Sequence, residues 1–155
     1  MKNKILIGAL CASTLTVSLF SFDVEKAKKF DQFYSNFTPK ALAFSKSDIS
    51  SSEVMTMIRE NKKFTFLDIR TRAEMDIIGI TAPNTLEIEM QDLFKEKNLN
   101  LLPTKELIVM VCHSDARAMV AATSLNMLGF TNIRVLKDGM KGFAKEVGRT
   151  TVPLR

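Results

Sequence analysis

Residues that bind metal ions or form disulfides are scarce in this sequence. Its 155 residues include one histidine, His113, and two cysteines, Cys11 and Cys112. This number of histidines and cysteines cannot supply the four ligands of a structural zinc site, and we therefore predict no metal site. We also predict no bound cofactor. Cys11 lies in an N-terminal segment with the pattern of an export signal. If that segment is cleaved, Cys112 is the only cysteine left, which excludes a disulfide within the mature chain.

The sequence also lacks clusters of basic and aromatic residues. No run of lysines and arginines with interleaved aromatic residues occurs, so we expect no nucleic acid partner. The net charge of +5 comes in part from Lys2 and Lys4, because residues 1–22 contain no acidic residue. The rest of the chain has 20 basic and 17 acidic residues, a net charge of +3. There is no internal repeat or low-complexity region, and the length suits one domain.

The N-terminal segment, residues 1–22, predicts export. Lys2 and Lys4 are followed by an uncharged run, residues 5–22, in which small residues are mixed with apolar ones. A basic start, an apolar middle and small residues near the end are typical of a secretory signal peptide. A retained membrane anchor is the alternative, since a run of 18 residues is just long enough to cross a bilayer. We therefore expect an exported protein, either periplasmic or membrane-anchored and facing outside the cytoplasm.

Residues 23–46 are predicted to form a short amphipathic helix and a linker. Apolar side chains recur at helical spacing from Val24 to Phe37, largely with charged residues between them, and we expect the helix to end near Pro39. Three uses of the apolar face stay open: packing against the domain, contact with a membrane surface, and binding of a partner.

Residues 47–148 are predicted to form one α/β domain, followed by a tail, residues 149–155. Strand patterns alternate with helix patterns along the domain. The predicted strands are residues 64–69, 85–88, 107–111 and 133–136. The predicted helices are residues 54–61, 71–78, 118–128 and 140–147, and residues 90–94 are predicted to form a helical turn or more. Arg72, Glu74 and Asp76 are expected to be solvated. Residues 47–52 are polar and carry helix-capping candidates, and a polar, Asn-rich stretch leads to Pro103.

The strand at residues 107–111 is apolar throughout, so both of its faces are predicted to be buried. With the alternation of strands and helices, this predicts a parallel sheet with helices on both faces. Ligands of such sheets bind beyond the carboxyl ends of the strands. Cys112 lies at that end of a central strand, and Asp68 lies near the end of another. We therefore expect the functional site at this edge of the sheet.

The stretch from Cys112 to Arg117 is the candidate active-site loop, because it links a buried strand to a predicted helix. Backbone amides of such a loop, and of the helix start, point at the thiol and favour the thiolate. Arg117 adds a fixed positive charge with forked donors. The alternative is a buried strand that happens to end in an unreactive cysteine. Between Cys112 and Arg117 the loop contains His113, Ser114, Asp115 and Ala116.

Three stretches over about residues 47–147 resemble the rhodanese superfamily. The first is Phe66-Leu67-Asp68-Ile69-Arg70 followed by Glu74 and Gly79, which is similar to a family strand that ends in Asp-Val-Arg and is followed by a Glu and a Gly. The second is the cysteine loop with an arginine five positions after the cysteine. The third is Leu128-Gly129-Phe130 with Val135-Leu136-Lys137-Asp138-Gly139-Met140, which is similar to the family pattern Leu-Gly-Phe followed by Val and Leu-x-Gly-Gly.

The resemblance implies a single-domain sulfurtransferase with a rhodanese-like parallel sheet. The Cys112 thiolate would attack a small donor of sulfane sulfur, such as thiosulfate or polysulfide, and would carry the sulfur as a persulfide to a thiophilic acceptor. Loop amides from His113 to Arg117 would stabilise both anions, and Arg117 would hold the loop or an anionic substrate. Asp68 and Arg70 would support the loop or pocket, with an ordinary strand-end ion pair as the alternative.

Asp115 stands where active loops of this family commonly have glycine. Aspartate adopts a left-handed backbone less easily than glycine, and its charge would disfavour a thiolate and repel anions if it pointed inward. This residue favours a second hypothesis, a non-catalytic rhodanese-like binding module. A third is a thiol phosphatase or arsenate reductase, but related phosphatases have one more residue between cysteine and arginine to accommodate phosphate. His113 is predicted either to tune the thiolate or to face solvent.

Overall fold

The computed structural model describes residues 22–38 and 47–149. The chain divides into two compact units, Met1–Pro39 and Lys40–Arg155. The predicted export segment, except for Phe22, lies outside the described residues, as do most of the predicted linker and all but the first residue of the predicted tail. Within residues 22–38 and 47–149, no helix is both long enough and apolar enough to span a bilayer.

The first unit contains one described helix, α1 (Val24–Tyr34), which begins after the N-cap Asp23. None of its residues is buried. It ends earlier than the expected position near Pro39, because the side chains of Ser35 and Asn36 both donate to the carbonyl of Gln32. Such local side-chain bonds compete with helix continuation.

The second unit contains a parallel sheet of five strands in the order β1-β5-β4-β2-β3. The strand β4 lies at its centre, between β5 and β2. The predicted α/β fold with a parallel sheet is thereby confirmed. The strands are β1 (Asp48–Ile49), β2 (Thr65–Asp68), β3 (Thr85–Glu87), β4 (Ile108–Val111) and β5 (Ile133–Leu136).

Helices cover both faces of the sheet, and β4 contributes to the core on each face. Ile108 and Met110 pack in the apolar cluster that contains residues of the helix 116–127, whereas Val109 and Val111 pack in the cluster that contains residues of the helices 51–59 and 139–149. This explains why β4 has no polar residue: successive side chains of a strand point to opposite faces, and both are buried here. The helices are α2 (Ser51–Arg59), α3 (Arg72–Ile77), α4 (Glu96–Leu99), α5 (Ala116–Met127) and α6 (Gly139–Arg149).

Two local elements were not predicted. The segment 90–94 forms turns, and the helix near it is α4, inside the stretch expected to be a polar connection. Leu93 is fully buried, and the Asn98 side chain donates to the Asp92 carbonyl, which joins α4 to these turns. β1 was not predicted, because two residues are too few to show a strand period; Ile49 is nevertheless buried and pairs with Leu136.

A buried ion pair joins the end of β2 to helix α3. Arg70 donates to the Asp68 carboxylate from Nε at 2.9 Å and from Nη2 at 2.6 Å, and their side chains are only 3% and 1% exposed. The same guanidinium donates to the carbonyls of Glu74 (3.3 Å) and Ile78 (2.7 Å), which belong to α3 and its C-cap. The pair therefore fixes the position of α3 against the sheet, beyond the ordinary strand-end ion pair considered from the sequence.

Asp68→Asn is expected to lower the free energy of unfolding by about 3–5 kcal/mol, because it leaves the buried Arg70 guanidinium without a counter-charge. The matched control is Asp76→Asn, which removes a carboxylate from an exposed pair with Arg72 at 3.0 Å and should change stability little. Urea unfolding followed by circular dichroism measures both variants. Similar small losses for the two variants would contradict a structural role for the buried pair.

Candidate active site

Cys112 follows β4 directly and is 1% exposed. The neighbouring strand β2 ends level with β4, since Asp68 pairs with Val111. The Ile69 amide donates to the Val111 carbonyl at 2.9 Å. The thiol thus lies at the carboxyl edge of the sheet, on its central strand, where ligands of parallel sheets bind.

Two backbone amides point at the Cys112 sulfur. The Asp115 amide donates to Sγ at 3.2 Å and the Ala118 amide at 3.4 Å. Ala118 is the third residue of α5, so the sulfur takes the place that a capping side chain has at many helix starts. Amide donors and the positive end of a helix both favour an anion, and here they favour the thiolate.

Asp115 is the N-cap residue of α5, but its side chain makes no capping bond. Its backbone is left-handed with φ +89°, which is unusual for a residue other than glycine. This conformation directs its amide to Sγ, while its carboxylate accepts from the Asp138 amide at 3.4 Å. The carboxylate is therefore held by the turn between β5 and α6.

Further amides of the loop have no acceptor in the described part of the chain. They belong to His113, Ser114, Ala116 and Arg117. Helix starts leave such donors unsatisfied unless a cap or a ligand binds them. The loop therefore retains backbone donors that a bound anion could use. The side chains of His113 and Ser114 are exposed, as is Ala116.

Amides at the start of α6 bind backbone carbonyls of the loop. The Met140 amide donates to the Cys112 carbonyl at 2.8 Å, and the Lys141 amide donates to the His113 carbonyl at 3.1 Å. Gly139 lies against the loop with φ +55°, and a Cβ on it would be 2.5 Å from the Cys112 oxygen. Only glycine fits this close approach.

Arg117 is bound to Glu74 of α3 and does not point freely into the site. Its Nη1 and Nη2 donate to the two carboxylate oxygens at 3.0 and 2.6 Å. The bond to Arg117 is the main cause that lowers the pKa of Glu74, to about 2, so Glu74 stays ionised near neutral pH. Glu74, and to a smaller extent the Cys112 thiolate, raises the pKa of Arg117. Of the two roles expected for Arg117, holding the loop is the one that these contacts support.

Glu74 is the site residue that the sequence analysis missed. It was predicted as a solvated helix residue, but its side chain is 29% exposed and lies 3.9 Å from His113 Nδ1 as well as on Arg117. Glu74 also completes a capping box with Thr71 at the start of α3. The Thr-x-x-Glu spacing was the available signal, and it explains why the carboxylate is fixed at this end of the helix.

The structure brings Cys112, Asp115 and Arg117 together around one sulfur atom and adds Glu74. Asp68 and Arg70 lie beside this group but act on the position of α3. Within residues 22–38 and 47–149, no cluster of three or more histidine, cysteine or acidic residues could hold a metal ion.

Gly139→Ala is expected to destabilise the fold more than Gly129→Ala. Both glycines have positive φ, +55° and +98°, but an added Cβ meets no atom within 4 Å at Gly129, whereas at Gly139 it meets the Cys112 and His113 carbonyls. Gly129→Ala should cost about 1 kcal/mol from backbone strain alone. The collision at Gly139 should add about 1–3 kcal/mol. Chemical denaturation of both variants measures the difference, and equal losses would contradict the close approach.

A family model described as a rhodanese-like domain matches residues 50–146. Uncharacterised proteins of Rickettsia rickettsii and Rickettsia conorii are each 25% identical to this chain over 109 residues, which is 65% of this chain and 89% of theirs.

Solved structures share the fold at low sequence identity. A rhodanese-related protein of Thermoplasma volcanium has a TM-score of 0.54 and 21% identity, over 64% of this chain and 91% of its own. A rhodanese-like domain protein of Staphylococcus aureus has a TM-score of 0.55 and 24% identity, over 63% and 90%. A Rhodopseudomonas palustris protein of unknown function, described as a possible tyrosine phosphatase, has a TM-score of 0.57 and 13% identity, over 82% of this chain and 92% of its own. At these identities the likeness shows the fold alone. Because the family model covers more than half of the chain, the resemblance seen in the sequence is confirmed, and the protein belongs to the rhodanese-like domain family.

Proposed function

We propose that this protein is an exported sulfurtransferase that carries sulfane sulfur as a persulfide on Cys112, from a small donor to a thiophilic acceptor. The observation that supports this most directly is the set of amides around Sγ: two donate to the sulfur, and four more are unpaired within residues 47–149. Membership of the rhodanese-like family supports the same chemistry. Export rests on the basic start and uncharged run of residues 1–22.

The transfer is a pair of displacement reactions at sulfur. The Cys112 thiolate attacks the outer sulfur of the donor, the Sγ–S bond forms, and the sulfur–sulfur bond of the donor breaks. With thiosulfate, sulfite leaves with the electron pair and the enzyme keeps the persulfide anion. The acceptor nucleophile then attacks the outer sulfur and Cys112 leaves as the thiolate, so the enzyme returns to its starting state without an external oxidant or reductant.

The loop suits both anions of this cycle. In the resting state the Asp115 and Ala118 amides stabilise the thiolate. In the persulfide the negative charge moves one atom outward, where the unpaired amides of the loop are available to stabilise it. The same backbone thus serves both states without side-chain rearrangement.

Phosphoryl or arsenate chemistry fits the loop less well. Four residues separate Cys112 from Arg117, and Arg117 is occupied by both carboxylate oxygens of Glu74. A phosphoryl or arsenate group held on Sγ needs room for its oxygens inside the loop and a guanidinium free to bind them. A single sulfur atom needs neither.

Thiocyanate formation tests the proposal. The full chain, given thiosulfate or polysulfide with cyanide as acceptor, is expected to form thiocyanate catalytically. Cys112→Ser should lower the rate at least about a thousandfold, because it removes the nucleophile. Cys11→Ser is the matched control, since it removes the other cysteine, and it should keep full activity.

Two results would contradict sulfur transfer. One is no thiocyanate from either donor with folded protein whose Cys112 thiol is reduced, which would favour the binding module. The other is Cys112-dependent hydrolysis of an aryl phosphate without thiocyanate formation, which would favour a phosphatase.

A further inference from the structure

The positive charge nearest the Cys112 loop is cancelled in the folded protein. Arg117 is the guanidinium of the loop, and both of its Nη atoms donate to the Glu74 carboxylate at 3.0 and 2.6 Å. Glu74 is itself fixed by the Thr71 amide at 2.9 Å and by its place in the capping box. Because the Glu74 carboxylate is bound by both Thr71 and Arg117, the ion pair has little freedom to open and bind a second anion.

The remaining charges at the loop do not restore a positive potential. Asp115 adds a second carboxylate, and Asp138, whose amide it accepts from, adds a third at the adjacent turn. Lys137 and Lys141 flank that turn and offset the two aspartates, and both lysines and Asp138 are exposed, where solvent screens their charges. The loop therefore offers an incoming group its amide donors, whereas its guanidinium is already paired with Glu74.

Apolar side chains flank the ion pair on both helices. Ile77 follows Glu74 by three residues on α3 and is 81% exposed. On α5, Val120 follows Arg117 by three residues and is 61% exposed. One turn along each helix from the ion pair, an exposed apolar side chain is thus available for contact with an organic group.

We propose that Cys112 is loaded by thiol persulfides in preference to the thiosulfate dianion, and that Glu74 sets this preference by neutralising Arg117. The inference rests on the sulfurtransferase function proposed above and names its donor class. In the loading step the Cys112 thiolate attacks the outer sulfur of R–S–SH, the Sγ–S bond forms, and the S–S bond of the donor breaks. The donor leaves as the thiolate R–S⁻, and the outer sulfur keeps its proton, so atoms and charge balance.

Single-turnover loading tests the donor class. The full chain is mixed with cysteine persulfide or with thiosulfate, and sulfur on Cys112 is followed by mass spectrometry at low and high ionic strength. Cysteine persulfide should load the wild-type protein faster. Loading by thiosulfate should not slow as salt is added, because no net positive potential draws the dianion to the loop.

Two variants test the role of Glu74. Glu74→Gln frees the Arg117 charge and should raise the ratio of the thiosulfate loading rate to the cysteine persulfide loading rate about tenfold, the low end of the effect of local charge on association. Asp76→Asn is the matched control: it removes one negative charge from the same helix without freeing Arg117, and should leave both rates unchanged.

Three results would overturn the inference and leave sulfur transfer intact: thiosulfate loading the wild type as fast as cysteine persulfide, thiosulfate loading that slows with added salt, or Glu74→Gln slowing both donors equally. The last would make Glu74 a positioning residue only. If Glu74→Gln does not fold, the salt dependence of the wild type decides the question. If neither donor places sulfur on Cys112, the proposed function itself would be overturned.

Discussion

The hydrogen bonds from the Asp115 and Ala118 amides to the Cys112 sulfur are the interaction on which the rest of the site depends. They require the loop to close around one atom, which forces Asp115 into a left-handed backbone at φ +89°. That conformation has an energetic cost for a residue other than glycine, so the loop has to be held from outside. Gly139 and the start of α6 hold it from behind through the Cys112 and His113 carbonyls, and Glu74 of α3 holds it from the side through Arg117.

These supports form a connected series that begins in the core. Arg70, bound by the buried Asp68, donates to carbonyls of α3 and its C-cap. Helix α3 carries Glu74, and Glu74 fixes Arg117 at the start of α5. The central strand β4, apolar on both faces, sets the position of Cys112 between β2 and β5. The side chains with charge are therefore used to position the backbone, and the backbone amides are left to meet the sulfur.

The sequence was sufficient to predict the parallel sheet and the position of Cys112, because the uniform apolar run 107–111 and the strand–helix alternation are local signals. The role of Glu74 was not predictable from local pattern, since its partner Arg117 lies 43 residues away and only the folded chain brings them together. β1 was missed because its two residues gain their strand geometry from pairing with β5. Helix α4 was missed because its four residues are too few to show a helical period. The orientation of the Asp115 side chain was not predictable, because it depends on a hydrogen bond from the Asp138 amide, and no spacing rule connects these two residues.

The central claim is that Cys112 carries a sulfur atom, and intact-mass analysis of the purified full chain tests it most directly. The protein is incubated with thiosulfate, polysulfide or cysteine persulfide, measured, and measured again after addition of cyanide. We expect the wild-type protein to gain the mass of one sulfur atom from at least one donor and to lose it to cyanide, and Cys112→Ser to gain none. A folded wild-type protein with a reduced thiol that gains no sulfur from any of the three donors would contradict the claim.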